Sequence, residues 1–227
     1  MLRILLSQLF VLLAFGANAS PVNLAGRQIE VVIPSGYCAL SEENPSDAEV
    51  IRVTKAGMEN GSNQILVLFA DCKEQSEVRG GKRQTYDNYG QILAQMRKGK
   101  LEPLKGVSRS EFIRKIGGTS PTVNVNQVVQ SAVARYNAAL SGGSISYDAQ
   151  KPYWLISDQN GSFYGMLGQL VDVYGKKSNL FAVLGISLIK EMSLTINIYQ
   201  KFKGEPPVAQ LLAKQQAAMA ALVLGNN

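Results

Sequence analysis

Three long apolar segments separated by turn-forming residues dominate the last third of this 227-residue sequence and restrict its fold more than any other feature. The segments are residues 162–174, 179–189 and 192–199, and they follow turns at 158–161, 175–178 and 190–191. In the last segment, four apolar residues alternate with polar ones: Met192, Leu194, Ile196 and Ile198. Period-two alternation between tight turns predicts antiparallel neighbouring strands.

The rest of the chain adds further strands and amphipathic helices around these three strands. Strands are predicted at 28–33, 64–71, 144–148 and 153–158, and helices at 47–58, 85–100, 108–118, 122–143 and 208–224. Ser46 is the expected N-cap of the first helix, and Ser108 with Glu111 forms a capping box. The predicted fold class is α+β, with a mixed, mostly antiparallel sheet and packed helices in an α/β sandwich.

The first 19 residues have the pattern of a secretory signal peptide. Arg3 precedes an apolar run from Ile4 to Phe15, and Ala17-Asn18-Ala19 supplies small residues for signal peptidase. We expect residues 1–19 to be removed and residues 20–227 to form one domain. No cysteine follows the small residues, which argues against a lipid anchor.

The later apolar runs are too short to cross a membrane. The best candidate, residues 179–189, is flanked by charged residues and suits a buried strand. We therefore expect an exported soluble protein, periplasmic or alternatively released to the medium. If a eukaryote secreted it, Asn60 and Asn160 would be glycosylation acceptors, although both also fit simple turns.

Positive charge is concentrated in a helix-rich segment at about 73–140. Between Lys73 and Lys115 there are 11 basic residues against 5 acidic ones. The candidate patch for an anionic partner consists of Lys82, Arg83, Arg97, Lys98 and Lys100. An envelope protein or an anionic envelope component fits this charge, whereas nucleic acid does not fit an exported protein; a solvated helical surface is the alternative.

The absence of histidine removes several chemistries at once. Catalytic triads and zinc sites that use imidazole are excluded, and two cysteines cannot form a four-thiolate zinc site. No phosphate-binding glycine loop or calcium loop is recognisable. The sequence therefore predicts no cofactor, no metal site and no catalytic residue set.

Two weaker catalytic patterns remain. Ser187 and Lys190 match Ser-x-x-Lys, but they fall at the end of a strand, where their side chains would lie on opposite faces. Carboxylates at or near strand ends could instead form an acid–base pair: Asp71, Asp148, Asp158 and Asp172. Each is better explained as a turn or cap residue.

The two cysteines, Cys38 and Cys72, are expected to form a structural disulfide. In an oxidising compartment two cysteines usually pair, and no Cys-x-x-Cys redox motif is present. If the helix at 47–58 crosses between strands 28–33 and 64–71, these strands can run parallel and adjacent. Their C-terminal ends would then bring the two thiols together.

Two stretches carry a resemblance to known proteins. "IEVVIPSGYC…ILVLFADC" and the ending "ISLIKEMSLTINIYQKF…VAQLLAKQQAAMAAL" look like uncharacterised exported proteins of alphaproteobacterial type. The ending is also similar to the PsbP-like α/β sandwich, which includes periplasmic members. The shared motifs are structural, so the resemblance implies a fold and no site residues.

These observations favour a non-catalytic binding or accessory protein of the cell envelope. The alternatives are a carboxylate-dependent envelope hydrolase and a secreted protein that acts on a host or a competitor. Clustering of Asp71, Asp148 and Asp158 around one cleft would support the hydrolase.

Overall fold

The computed structural model describes residues 19–58, 62–118 and 125–227. The strands are β1 Ala19–Leu24, β2 Arg27–Val32, β3 Tyr37–Ala39, β4 Asn63–Asp71, β5 Asn88–Gln95, β6 Ser146–Ala149, β7 Tyr153–Ser157, β8 Ser162–Val171, β9 Lys177–Ile189 and β10 Met192–Phe202. The helices are α1 Pro45–Met58, α2 Cys72–Arg79, α3 Arg109–Ile116, α4 Val125–Ala139 and α5 Val208–Leu224. Residues 1–18 of the predicted signal peptide, and Asn60, lie outside the described residues.

The architecture is a large antiparallel sheet with packed helices, which confirms the predicted α+β class. The strand order is β3-β4-β5-β10-β9-β8-β6, with β7 also paired to β8, and β1 and β2 form a separate hairpin. Every pairing between these strands is antiparallel. Within the described parts of the chain, no helix has the length and apolar character needed to cross a bilayer.

The β8–β9–β10 meander forms as its alternating pattern predicts. Met192 pairs with Ile189 across a two-residue turn, in which Lys190 and Glu191 both have positive φ, 45° and 65°. Two positive φ angles in succession match the right-handed twist of the flanking strands. The turn therefore fixes the register that directs Leu194, like Ile196 and Ile198, into the core.

Helix α5 covers one face of the sheet, as its apolar pattern predicts. Its buried residues Leu211, Met219 and Leu222 join the main core cluster with strand residues of β9 and β10. Gln215, which interrupts the apolar stripe, is fully buried and donates its Nε2 hydrogen to the Ile196 carbonyl oxygen at 2.7 Å. Gly185 makes room, because a Cβ there would lie 2.5 Å from Gln215 Nε2.

The predicted helix at 85–100 is wrong, since this region contains the central strand β5. It pairs with β4 on one side and β10 on the other. Gly90 allows this close packing, because a Cβ there would lie 2.3 Å from the Asn197 carbonyl oxygen and 2.5 Å from the Phe69 ring. The described residues of the segment at 73–140 therefore include helices on either side of a buried strand.

The predicted parallel pair of strands is also wrong. β2 pairs with β1 instead of β4, and Cys38 lies on the short strand β3, which runs antiparallel to β4. A turn at Gly36 (φ +82°), with a hydrogen bond from the Tyr37 N–H to the Pro34 carbonyl, directs the chain into β3. The disulfide itself is confirmed, with 4.9 Å between the Cα atoms of Cys38 and Cys72.

The helix starts agree with the sequence in two of three cases. Ser108 caps α3 by accepting from the Glu111 N–H at 3.2 Å, and Pro206-Pro207 precede α5 as expected. Helix α1 differs, because Asn44 rather than Ser46 accepts its first backbone N–H groups, from Ser46 and Asp47. Asn44 takes this role because the helix begins two residues earlier than predicted, at Pro45.

Candidate functional site

The structure does not bring the five predicted patch residues together. Lys82 and Arg83 precede β5, whereas Arg97, Lys98 and Lys100 follow it. A strand of eight residues spans roughly 25 Å, so the two groups lie at opposite ends of the sheet. The second group forms an exposed turn, in which Arg97 bridges to Lys100.

Arg83 forms ion pairs with two carboxylates of this protein. Its guanidinium lies 3.1 Å from a Glu77 carboxylate oxygen and 2.8 Å from one of Asp87. Lys201 approaches the same Asp87 carboxylate at 3.3 Å. Burial favours the neutral form of Asp87, but hydrogen bonds and charge from Arg83 and Lys201 outweigh it and hold the pKa of Asp87 below its usual value.

The strand-end carboxylates serve local structure at separate positions. Asp71 caps α2 by accepting from the N–H groups of Lys73 and Glu74. Asp158 accepts from two N–H groups of its own turn and from the Gln216 amide. Asp172 accepts from the N–H groups of Tyr174 and Lys176, and Asp148 is exposed on β6.

The Ser-x-x-Lys match does not form a catalytic pair. Ser187 is fully buried in β9, while Lys190 is exposed and donates to the Gln28 carbonyl at 2.9 Å. In the described ranges, no group of three acidic or cysteine side chains is arranged to hold a metal ion.

The most distinctive surface is the edge strand β7, which the sequence analysis did not identify as a site. Tyr153, Trp154 and Ile156 are 38%, 42% and 41% exposed on five consecutive residues. β7 pairs with β8 only, so no other described strand satisfies its outer edge. Large apolar side chains beside unpaired backbone groups are typical of a binding edge.

The exposed side chains lie on both faces of this edge. Tyr153 pairs with Gly165 and Trp154 with Tyr164, so their side chains point to opposite faces. A bulge at Leu155 then places Ile156 opposite Phe163. A strand added beside β7 would therefore contact apolar groups above and below its own backbone.

A groove of about 380 Å³ lies beside β7 against helix α3. Trp154 and Ser157 form one wall, and Ile113, Arg114 and Gly117 form the other. Two contacts fasten α3 to the sheet: the Tyr164 hydroxyl donates to the Ile116 carbonyl, and Arg109 Nε donates to the Leu188 carbonyl at 3.1 Å. The groove is therefore preformed by secondary structure. We name β7 and this groove together the open edge.

The groove of the open edge is lined by one cationic side chain, Arg114, and one carboxylate, Asp158. Arg114 lines the groove, is exposed, and has no acidic partner within the described residues. The Asp158 carboxylate nearby already accepts three hydrogen bonds. The free charged group in the groove is therefore a guanidinium, which binds carboxylates well.

Comparison with known proteins gives only distant structural likenesses. No protein-family model matches the chain, and no curated protein sequence matches it. The crystal structure of Mog1p, a Ran-binding protein of Saccharomyces cerevisiae, aligns over 92% of this chain and 91% of its own with 14% identity and a TM-score of 0.26. A likeness at that TM-score carries no argument about function.

Proposed function

We propose that this chain is an exported, non-catalytic accessory protein of the bacterial cell envelope that binds another protein through the open edge. The observation that carries this proposal is the exposed apolar strand β7, with Trp154 on one face and Tyr153 and Ile156 on the other. The bound segment would be an extended peptide that adds a strand to the sheet.

Export is supported by two independent features. Residues 1–19 have the charge, apolar run and small residues of a signal peptide. Cys38 and Cys72 form a disulfide, and disulfides persist in compartments such as the bacterial periplasm. The resemblance to exported alphaproteobacterial proteins agrees with this location.

The chemistry of the open edge defines the partner segment. Unpaired N–H and C=O groups of β7 supply backbone hydrogen bonds, and the exposed aromatic side chains supply apolar contact. Arg114 favours an acidic residue next to the apolar ones. We therefore expect an extended apolar segment that carries an aspartate or glutamate.

A non-catalytic role is supported by the placement of the carboxylates. Asp71 caps α2, and Asp158 and Asp172 each hold a separate turn. Each of these carboxylates accepts at least two backbone hydrogen bonds, which ties it to local structure. This dispersal counts against the carboxylate-dependent hydrolase.

The location is tested by fractionating cells that express the full chain. We expect the protein in the periplasmic fraction with Ser20 at its N-terminus, and no free thiol before reduction. The matched control is Leu12→Arg with Leu13→Arg, which interrupts the apolar run and should abolish export. Full-length protein with two free thiols in the cytoplasm would contradict the proposal.

Binding is tested by placing a photo-reactive phenylalanine at position 156 of the full chain in living cells. The control position is 224, because Leu224 is 76% exposed on α5 and lies outside the open edge. We expect a crosslink at 156 alone, mapped to an extended acidic-apolar segment and weakened by Arg114→Glu. Equal crosslinking at both positions, or a crosslink only to a second copy of this chain, would contradict the proposal.

A further inference from the structure

A polar cleft of about 390 Å³ lies between the loop that joins α2 to β5 and the hairpin that joins β8 to β9. Its size falls within the range of small-molecule sites in proteins. It lies at the Val171 end of β8, whereas β7 pairs with the Ser162 end. We propose that this cleft binds an oligosaccharide, independently of the open edge.

The floor of the cleft is a fixed array of hydrogen-bonding groups. Arg83 holds the carboxylates of Glu77 and Asp87 at 3.1 and 2.8 Å. Lys201 donates to the Thr85 hydroxyl at 3.1 Å and lies 3.3 Å from Asp87. These contacts orient planar carboxylate and guanidinium groups before any ligand arrives, which lowers the cost of binding.

The opposite wall presents an aromatic ring on a rigid turn. Asp172 accepts from the N–H groups of Tyr174 and Lys176, each at 3.0 Å, and the Gly175 N–H donates back to the Asp172 carbonyl at 2.8 Å. Tyr174 is 63% exposed at the rim of the cleft. The hairpin therefore fixes the backbone of Tyr174 at the rim and leaves its ring exposed.

This combination fits the chemistry of sugars. Each sugar hydroxyl both donates and accepts, and the cleft offers carboxylate acceptors on its floor and donors from Lys82, Gln84 and Lys176. Lys82 and Lys176 have no carboxylate partner within the described ranges, so their ammonium groups are available. The face of Tyr174 can cover the apolar C–H face of a sugar ring.

The charge of the cleft argues against a phosphate or polyanion site. Its lining holds three cationic side chains (Lys82, Arg83, Lys176) and three anionic ones (Glu77, Asp87, Asp172). Beneath it, Lys201 lies 3.3 Å from Asp87 and Glu74 lies 3.9 Å from Arg83, which adds one charge of each sign, so the formal charge is zero. A multiply charged anion gains no net attraction from such a field. A neutral polyhydroxyl ligand satisfies the donors and acceptors without needing net charge.

Calorimetric titration of the mature, oxidised chain tests this assignment, with chitotetraose and maltotetraose as probes and inorganic phosphate as the anion control. We expect saturable binding of at least one oligosaccharide. Binding of chitotetraose alone would show that the acetamido group is recognised, whereas binding of both would show recognition of ring and hydroxyl groups. Saturation by neither sugar overturns the assignment.

Three variants distinguish a sugar site in this cleft from an anion site and from sugar binding at β7. Tyr174→Ala should weaken binding about tenfold, which corresponds to about 1.4 kcal/mol and lies within the range of an aromatic contact. Tyr153→Ala, which removes an exposed tyrosine of β7, should leave it unchanged. Lys176→Gln should change it less than about threefold, since an exposed ammonium contributes little.

Equal weakening by Tyr174→Ala and Tyr153→Ala overturns the assignment. So does loss of binding in Lys176→Gln together with competition by phosphate, which would define an anion site. Thermal melting of each variant should match the parent chain, because all three side chains are exposed. Neither outcome depends on export or on a partner at β7, so this inference and the proposed function fail separately.

Discussion

The two edges of the main sheet are built in opposite ways. At one edge, β3 has three residues, and the disulfide ties its Cys38 to the first residue of α2. Gln75 of α2 then donates to the Ala39 carbonyl at 2.7 Å. At the other edge, β7 has five residues, three of them large, apolar and about 40% exposed.

The difference shows which edge is available to a partner. Short strands, covering helices and side-chain contacts to the backbone are the means by which proteins protect sheet edges from association. The β3 edge, which we call the closed edge, uses all three and adds a covalent bond. Strand β7 of the open edge has a bulge at Leu155, but its large exposed side chains are apolar instead of charged. A surface of this kind is expected to be used in binding.

The largest expected effect concerns the covalent bond of the closed edge. Cys72→Ser removes a crosslink between residues 34 positions apart. The loop-entropy relation predicts a loss of roughly 3–4 kcal/mol in the free energy of unfolding. Urea denaturation with and without reductant measures it. Reductant should destabilise the parent chain by the same amount and leave the variant unchanged; equal stability of the oxidised and reduced parent chain would show that the bond does not constrain this edge.

The second effect concerns the buried carboxylate that fastens α1 to α2 behind the closed edge. Asp47 is fully buried and accepts from Arg79, from the Tyr86 hydroxyl at 3.2 Å and from the Ser41 N–H at 3.0 Å. Asp47→Ala leaves these donors unpaired and should cost roughly 2–3 kcal/mol, because the partly exposed Arg79 regains some water.

The control for this variant is Glu49→Ala on the same helix. Glu49 forms an exposed pair with Arg52, so its loss should cost less than about 0.5 kcal/mol. Urea denaturation of both variants provides the comparison. Similar losses for the two would mean that the buried network does not fasten the closed edge.

A third effect depends on pH. Burial, followed by the charges of Asp71 and Glu74, raises the pKa of Tyr37 to about 12. In the unfolded chain the pKa of a tyrosine hydroxyl is near 10. Between about pH 10 and 12 the Tyr37 hydroxyl therefore keeps its proton in the folded state and loses it in the unfolded state. Ionisation of Tyr37 therefore leaves the free energy of unfolding unchanged below about pH 10 and lowers it as pH rises from about 10 to 12, because only the unfolded chain releases this proton in that range.

Tyr37→Phe isolates this contribution. The Tyr37 hydroxyl is buried with no hydrogen-bond partner in the described part of the chain, so its removal should raise stability at pH 7 by about 1 kcal/mol. The fall in stability between pH 10 and 12 should also become shallower. Urea denaturation at pH 7, 10 and 11.5 measures both effects; an unchanged pH profile would contradict the assignment to Tyr37.

The smallest effect on stability is expected at the open edge. Ile156→Lys places a charge on an exposed edge position and should change the free energy of unfolding by no more than about 0.5 kcal/mol. It should nevertheless reduce partner binding at least tenfold, because an edge lysine blocks strand addition. Leu224→Lys is the matched control. Parent-like binding by Ile156→Lys would remove β7 from the proposed interface.

The sequence predicts the β8–β9–β10 meander and α5 because their patterns are local. Turns such as Lys190-Glu191 and the alternation of Leu194, Thr195 and Ile196 depend on neighbours within a few residues. β5 was not predictable in this way. Tyr89, Ile92 and Leu93 of β5 and the Met96 that follows it have helical spacing, and a strand buried on both faces loses the alternation that would identify it.

The open edge could not be predicted from the sequence for a different reason. The sequence predicts a strand at 153–158, but its importance depends on which strands lie beside it. Only the tertiary structure shows that β8 is the one described strand that pairs with β7, and that α3 forms a groove next to Trp154. Likewise, charge along the sequence grouped Lys82 with Lys98, because it could not show that β5 lies between them.

Amide hydrogen exchange of the mature oxidised chain, free and in the complex recovered by crosslinking at position 156, tests the difference between the two edges most directly. We predict that residues 37–39 and 72–79 exchange slowly and equally in both samples. Residues 153–157 should exchange faster in the free chain and become protected in the complex. Protection that appears at 37–39, or that fails to appear at 153–157, would contradict the assignment of β7 as the binding edge.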